Sequence, residues 1–397
     1  VPFVDHEHVN GAGHDDGWNS TEDDSKAPGV LAEHWLTLGD ALEWLTEEPP
    51  AQVWLLKRWH KQRDHGVFPR GRTGLLTATG GVGKTYALIQ LALAVASGGF
   101  WFETFRAVEA GHVCLALAEE DVDEARRRIW RACNALALSR EQRQEIASRI
   151  HVLPLAGVSV ALTWSPEKGM IVASAVASEL KAELEARGVD WALIIIDPLS
   201  RWASGGIEAD NEAATRFCQV VETLATVRGK PAVLLAHHSS KTSAKDGASD
   251  ARGVTGIRDG FRWQASMDPL EENGLHGVLL RNRKSNYSLP FDELVLVRNT
   301  EPGIEGTLRL AFDAEAAQLH SKSKKGSGED FEERLLRALR SMGKARVKRD
   351  LVELTEGEDK KLYAALNTLL SSGRVVRDNE GWLVAAPYPA AEGVKEP

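Results

Sequence analysis

The sequence predicts an α/β fold: a mostly parallel sheet covered by helices on both faces, an antiparallel extension of that sheet, and a small separate unit at the C-terminus. Three observations predict it. Short apolar runs alternate with helix-like stretches from about residue 72 to 236, the pattern of β–α–β crossovers. One run, Trp191–Ile196 (WALIII), is apolar throughout, as a strand buried on both faces must be. After Arg262 the helical pattern stops, and four strand-like runs follow one another across turns.

Taken in order, residues 1–30 are rich in Gly, Asp, His, Asn and Ser and read as a disordered arm. His6, His8 and His14 in this arm have no spacing that fixes a metal geometry. Residues 31–70 read as a helical adaptor carrying Trp35, Trp44, Trp54 and Trp59. The core, 71–320, begins with a strand over Arg72–Ala78 and a helix over Lys84–Ser97. A strand at His112–Ala118 and a charged helix at Val122–Leu136 follow, then a strand at Ile150–Leu155 and a helix at Ile171–Arg187. Next come the buried strand at Trp191, a helix over Asn211–Arg228 and a strand at Ala232–Ala236. The runs Phe261–Met267, Gly277–Asn282, Glu293–Val297 and Thr307–Phe312 form the antiparallel extension. Residues 321–328 (SKSKKGSG) are a flexible basic linker. Within 329–386, helices at Phe331–Met342, Val347–Leu354 and Asp359–Ser372 precede a hairpin of Arg374–Arg377 with Gly381–Val384, the outline of a winged helix. Residues 387–397 read as a loose tail.

Composition narrows the function. With 397 residues the chain can build more than one core. There is no run of eighteen apolar residues, so no transmembrane helix is expected. The opening VPFVDHEHVNG has neither the basic nor the apolar region of a secretory signal, and it lacks an initiator Met, as a processed, recut or fragmentary chain would. Cys114, Cys133 and Cys218 are too far apart for a zinc site or a disulfide framework and read as reduced thiols of a cytoplasmic protein. A net charge of −9 argues against a protein that coats nucleic acid with its whole surface, but leaves room for a local basic face.

The chemistry concentrates at strand ends. Residues Ala78–Thr85 read ATGGVGKT, between a strand and a helix, as a phosphate-binding P-loop requires. Gly80, Gly81, Val82 and Gly83 supply inward-pointing N–H groups, Lys84 reaches the β- and γ-phosphates, and the Thr85 hydroxyl is placed to ligate Mg²⁺; Tyr86 completes the set expected around ATP. Ala78 stands where the strict pattern has Gly. Asp197 ends the buried strand and is the second metal candidate. Glu119, Glu120 and Asp121 end another strand; Glu120 is the expected base and Asp121 suits a helix cap. His237 and His238 end a third, where one of the two faces the nucleotide and can sense the γ-phosphate.

The motifs GGVGKT, LAEED, LIIIDPLSR, LLAHHSSK, ARGVTGIRDGFRW and RKSNY, in this order, resemble those of RepA-type hexameric plasmid replicative helicases, in the RecA/DnaB-like group of P-loop ATPases. The likeness spans about two thirds of the chain, Trp54 to Phe312. It implies a RecA-like core in a homo-oligomeric ring, a hexamer, with ATP at subunit interfaces. Lys84 and Thr85 match the phosphate and metal residues, Glu120 the catalytic glutamate, Asp197 the second-strand acid, and His237 and His238 the sensor position. A basic residue from the neighbouring subunit completes such sites; Arg281, Arg283 and Lys284 are equal candidates here. The stretch Ser239–Gly256 falls where a DNA-contacting loop would lie, with Lys241, Lys245 and Arg252 as phosphate contacts to single-stranded DNA in a central channel.

The winged-helix outline lies outside the likeness. Its first part is basic, but its third helix offers only Lys360, Lys361 and Asn367 for base readout, so phosphate contact and protein docking stand level. Three readings follow: a DNA-dependent motor that unwinds, a regulatory ATPase switch that binds DNA or protein partners without unwinding, and, behind these, a catalytically idle P-loop scaffold.

Overall fold

A computed structural model describes residues 37–39, 41–60, 63–167, 170–204, 207, 210–238, 255–272, 275–319, 335–336, 339, 359–371, 374–377 and 383–385. The expected arm, the linker, the tail, the second C-terminal helix and the Lys241–Arg252 segment lie outside these residues. The chain divides into two units, Val1–Ala51 and Gln52–Pro397. In the first, the described secondary structure is one helical turn, α1 (Glu43–Thr46).

In the second unit, β1 (Trp54–His60), β2 (Arg63–Pro69) and β3 (Thr73–Ala78) precede α2 (Lys84–Ser97). Then come β4 (Phe100–Trp101), β5 (Phe105–Ala107), β6 (His112–Leu117), α3 (Val122–Ala135), α4 (Arg140–Ala147) and β7 (Ile150–Pro154). A short pair, β8 (Thr163–Trp164) and β9 (Val172–Ala173), leads to α5 (Ala175–Ala186), β10 (Trp191–Asp197), α6 (Leu199–Trp202), α7 (Asn211–Leu224) and β11 (Ala232–His238). The rest comprises α8 (Thr255–Gly260), β12 (Trp263–Glu272), β13 (Leu275–Ser285), β14 (Leu294–Arg298), β15 (Leu308–Leu310), α9 (Asp313–Leu319), α10 (Asp359–Ser371), β16 (Val375–Arg377) and β17 (Leu383–Ala385).

The main sheet has nine strands in the order β15-β14-β13-β12-β3-β11-β10-β6-β7. From β12 to β7 every pair is parallel; from β12 to β15 every pair is antiparallel. The alternation of side chains along β10 builds a core on each face. Leu193 and Ile195 join α2 and the β1–β2–β5 strands on one side, while Ile194 and Ile196 join α5, α6 and α7 on the other. The chain leaves β3 through α2 on the first face, while α8, the next described element after β11, places Ile257 in the core of the second. The crevice at the carboxyl ends of β3 and β11 is therefore a topological switch point, where open α/β sheets hold ligands.

Several expectations are corrected. The helical adaptor over 31–70 is replaced across 54–69 by the antiparallel hairpin β1–β2, which joins β5 and β4 in a four-stranded sheet. Of the tryptophans that suggested a helix face, Trp54 and Trp59 are strand residues of β1, Trp44 lies in α1, and Trp35 is outside the described residues; the Trp54 indole covers Gly66 so closely that no Cβ would fit there. The run at Phe261–Met267 does not open the antiparallel extension: it is the β12 segment that pairs in parallel with β3, and the reversal comes at β13. The helix expected from Ile171 starts at Ala175, because Ser174 caps it and Val172–Ala173 pairs with β8. The helix expected to reach Arg228 ends at Leu224. Helix α4 is additional, announced by a Ser139–Gln142 capping box. In the C-terminal segment, α10 and the β16–β17 pair match the expected last helix and hairpin, with Leu335, Leu336, Leu339, Leu362, Leu366 and Leu369 in one small core.

Candidate functional site

β3 delivers the chain to the switch point, and its last residue opens the loop Thr79–Gly83 before α2. Gly83 is the N-cap of α2 with φ 102°, and Gly81 has φ 82°; both are left-handed conformations that other residues rarely adopt. No side chain caps the helix, so the first-turn N–H groups and the positive end of the helix dipole face the crevice.

Lys84 and Thr85 then project toward β10. Thr85 Oγ1 donates to Asp197 Oδ2 at 2.7 Å, and Lys84 Nζ stands 3.8 Å from Asp197 Oδ1. Strand β11 lies between β3 and β10, so the loop and the acid meet across an intervening strand rather than on adjacent ones. Lys84 is 6% exposed and its ammonium has no hydrogen-bond partner. Burial lowers its pKa against the opposing pull of Asp197 and Glu119. A buried ammonium with open donors is costly unless an anion meets it. The donor set therefore fits a phosphate, while a hydroxyl and a carboxylate side by side fit a hard cation such as Mg²⁺. Among the described residues no group of three or more His, Cys, Asp or Glu side chains could hold a metal by itself.

The third strand end is β6. Asp197 pairs with Leu117, so the acids after β6 lie beside Asp197. Asp121 caps α3, accepting from the Glu124 N–H at 2.7 Å. Glu119 is half exposed and meets Arg201 at 3.4 Å. Glu120 is 8% exposed, lines the cleft, and lies 3.0 Å from Arg128 Nη1. Burial raises its pKa, Arg128 opposes, and Glu124, Asp197 and Glu119 add to the rise. A carboxyl tuned upward in this way is a stronger proton acceptor than an ordinary one.

At the end of β11, His237 is buried and His238 exposed, on opposite faces of the strand as expected. His238 lines the cleft beside Lys84. Burial, with Lys84 and His238 adding, pushes His237 down to about 4, so it is neutral at pH 7. Together the loop, Thr85, Tyr86, Glu119, Glu120, Asp197 and His238 line one cavity of about 480 Å³.

The three cations expected from a neighbouring subunit do not reach the cleft of their own chain. Arg281 is ion-paired with Glu293 at 2.6 Å and Arg283 with Asp268 at 2.8 Å. Lys284 donates to the carbonyls of Asp259 and Arg258 at 3.1 and 3.3 Å. Lys241, Lys245 and Arg252 lie outside the described residues. Other cleft residues were not anticipated: Arg128, Arg131, Arg298, Glu305 and Gly306. The first two sit on α3, eight and eleven residues after Glu120, a helical spacing that could have found them. Arg298, at the end of β14, donates to the Gly81 carbonyl, and Glu305, in the β14–β15 loop, is ion-paired with Arg131 of α3 at 2.7 Å.

A curled loop ending in a buried lysine, a hydroxyl on a strand-end acid, and a second acid one strand away define a P-loop ATPase. A family described as AAA domain (AAA_25) matches residues 36–244, more than half of the chain, and the chain belongs to that family. Among solved structures, the fold is similar to the ATPase domain of another protein, at 11% identity and TM-score 0.42, over 61% of this chain and 86% of that one. It is also similar to the KaiC-like protein PH0186 from Pyrococcus horikoshii OT3, at 13% identity and TM-score 0.42, over 66% of this chain and the whole of that one. No helix among the described residues is long and apolar enough to cross a membrane.

Proposed function

We propose that the chain is an ATP-hydrolysing, DNA-dependent motor similar to RepA-type replicative helicases of plasmids, phages or mobile elements. The observation that carries hydrolysis is the convergence of Lys84, Thr85, Asp197 and Glu120 on one cleft at the switch point. The motif order along the chain supports the helicase class.

In this reading the N–H groups of Gly80–Gly83 and the ammonium of Lys84 hold the phosphate chain in place. Thr85 and Asp197 would hold Mg²⁺, which would neutralise charge on the phosphate oxygens. Glu120 takes a proton from the attacking water, with its raised pKa set by burial and tempered by Arg128. His238 faces the γ-phosphate position, and His237 packs behind it as a neutral group. Arg281, Arg283 or Lys284 meets the nucleotide of the adjoining subunit in a ring, a hexamer, with a RecA-like core over 71–320. Lys241, Lys245 and Arg252 contact single-stranded DNA in the channel, and residues 329–386 form a winged helix that touches phosphates or a partner protein. The protein works in the cytoplasm.

The test is displacement of a labelled strand from a forked DNA, together with phosphate release with and without single-stranded DNA. A motor unwinds, and both activities fall in Lys84→Ala and Glu120→Gln. ATP-dependent change of assembly state with no strand displacement would establish the regulatory switch instead.

A further inference from the structure

Four cations line the cleft: Lys84, Arg128, Arg131 and Arg298. Three are matched by carboxylates. Lys84 faces Asp197, Arg128 faces Glu120 and Glu124, and Arg131 faces Glu305. Arg298 has no carboxylate partner among the described residues; its bond goes to the backbone carbonyl of Gly81, in the middle of the phosphate loop. Its guanidinium also reaches Gly83, where Nη2 would lie 3.4 Å from an added Cβ. An uncompensated guanidinium against a loop built for anions marks a further anion contact.

The position of Arg298 is fixed to the loop by the fold. Its backbone pairs with Leu308 on β15, and Asn299 is held to Thr307 by a backbone bond of 2.9 Å and a side-chain bond of 2.9 Å. Leu308 in turn exchanges two hydrogen bonds with Gln90 of α2, at 2.7 and 3.0 Å. Gln90 lies on the helix that begins at Lys84. The strand carrying Arg298 and the helix opening at the loop are thus bonded to each other through β15. A guanidinium has five N–H donors in a planar fork, so one can stay on Gly81 while others meet an oxygen of the ligand.

We propose that Arg298 is a phosphate-binding residue supplied by the same chain, contacting the β-phosphate region shared by nucleoside di- and triphosphates. This rests on the reading of the cleft as a nucleotide site. It is separate from the cation supplied by a neighbour, because Arg298 already touches the loop within one chain. The residue holds the loop in its curled form through Gly81 and adds a second positive charge opposite Lys84 when the polyphosphate enters.

The experiment is an equilibrium titration of the full chain with fluorescent N-methylanthraniloyl derivatives of ATP, ADP and AMP, for wild type, Arg298→Ala, Arg298→Lys and Lys84→Ala. Thermal melting without nucleotide is recorded alongside. Losing one charge-assisted contact should weaken ATP and ADP binding in Arg298→Ala about 10- to 100-fold, with AMP little changed. Arg298→Lys should recover part of the loss, and all variants should melt near wild type. Unchanged ATP affinity in Arg298→Ala, with Lys84→Ala impaired, overturns the proposal and leaves the P-loop reading standing. Equal weakening of ATP, ADP and AMP with a lowered melting temperature makes Arg298 a structural strut and also overturns it. Absence of binding by wild type removes the P-loop reading and this proposal together.

Discussion

Replacing Lys84 with alanine separates stability from ligand binding. Without nucleotide the Lys84 ammonium is buried, its Nζ is unbonded, and its distance of 3.8 Å from Asp197 exceeds a hydrogen bond. Burial lowers its folded pKa below 10.5. For a lysine this sign means that folding disfavours the proton at every pH below the folded pKa, and that the cost disappears only above the unfolded value. Deleting the group therefore relieves a desolvation cost while removing the weak attraction to Asp197, whose carboxylate keeps the Thr85 hydroxyl. The two effects oppose, so the melting temperature of Lys84→Ala without nucleotide should stay within a few degrees of wild type. The ligand-bound state loses one charge-assisted contact of about 2–3 kcal/mol, or roughly 30- to 150-fold in ATP affinity. Differential scanning calorimetry of the nucleotide-free protein and titration with a fluorescent ATP derivative measure the two quantities. Undiminished affinity refutes the assignment of Lys84 to phosphate. A large drop in melting temperature with normal affinity makes it a core residue.

Three further outcomes follow from the same geometry. Glu120→Gln should bind ATP normally but turn over about 10²- to 10⁴-fold more slowly in a single-turnover assay. Because burial raises the Glu120 pKa, wild-type turnover should fall with decreasing pH from a point above the ordinary carboxylate range, a limb absent from the residual activity of the variant. His237, held at about 4 against an unfolded value near 6.5, is neutral in the fold where the unfolded chain takes a proton. Stability should thus decline as pH drops from about 6.5 to 4 by on the order of 3 kcal/mol, and His237→Gln should flatten that decline in urea titrations across the window. Gln90→Leu should leave the buried N–H and C=O of Leu308 unpaired, at about 1–3 kcal/mol each. The same variant should weaken ATP binding by loosening Arg298, read by the titration described above.

Residues whose chemistry is carried by local pattern were legible in the sequence. The loop at Gly80–Thr85 announces itself because a strand, a glycine-rich turn and a helix are contiguous, and α2 begins at Lys84 as expected. Asp197 follows from an unbroken apolar run, since only a strand buried on both faces carries one, and its acid must then emerge at an edge. Asp121 and Glu120 divide between capping and cleft, as their positions at the end of β6 suggest. The hairpin at 54–69 was not legible, because aromatic residues satisfy a helix face and a strand face equally well over so short a stretch. Its strand character depends on partners at 100–107 that no local pattern supplies.

Arg298 shows the same limit at the level of the site. Its strand, LVLVR, gives no hint that the terminal arginine differs from any solvated charge at a strand end. The difference comes from topology. Three antiparallel strands added beside β12 bring β14 back upward, so that residue 298 emerges at the end of the sheet where β3 releases the phosphate loop. The pairing Gly277↔Val297 sets the height of the strand, and Gln90 bonds β15 to the loop's helix. A register slip of one residue would turn the arginine to the other face of the sheet. Placement of this cation is thus a property of β3 and of β12 to β15 taken together. The lysine beside it is placed by the contiguous run Ala78–Thr85, which is why one was readable from the sequence and the other was not.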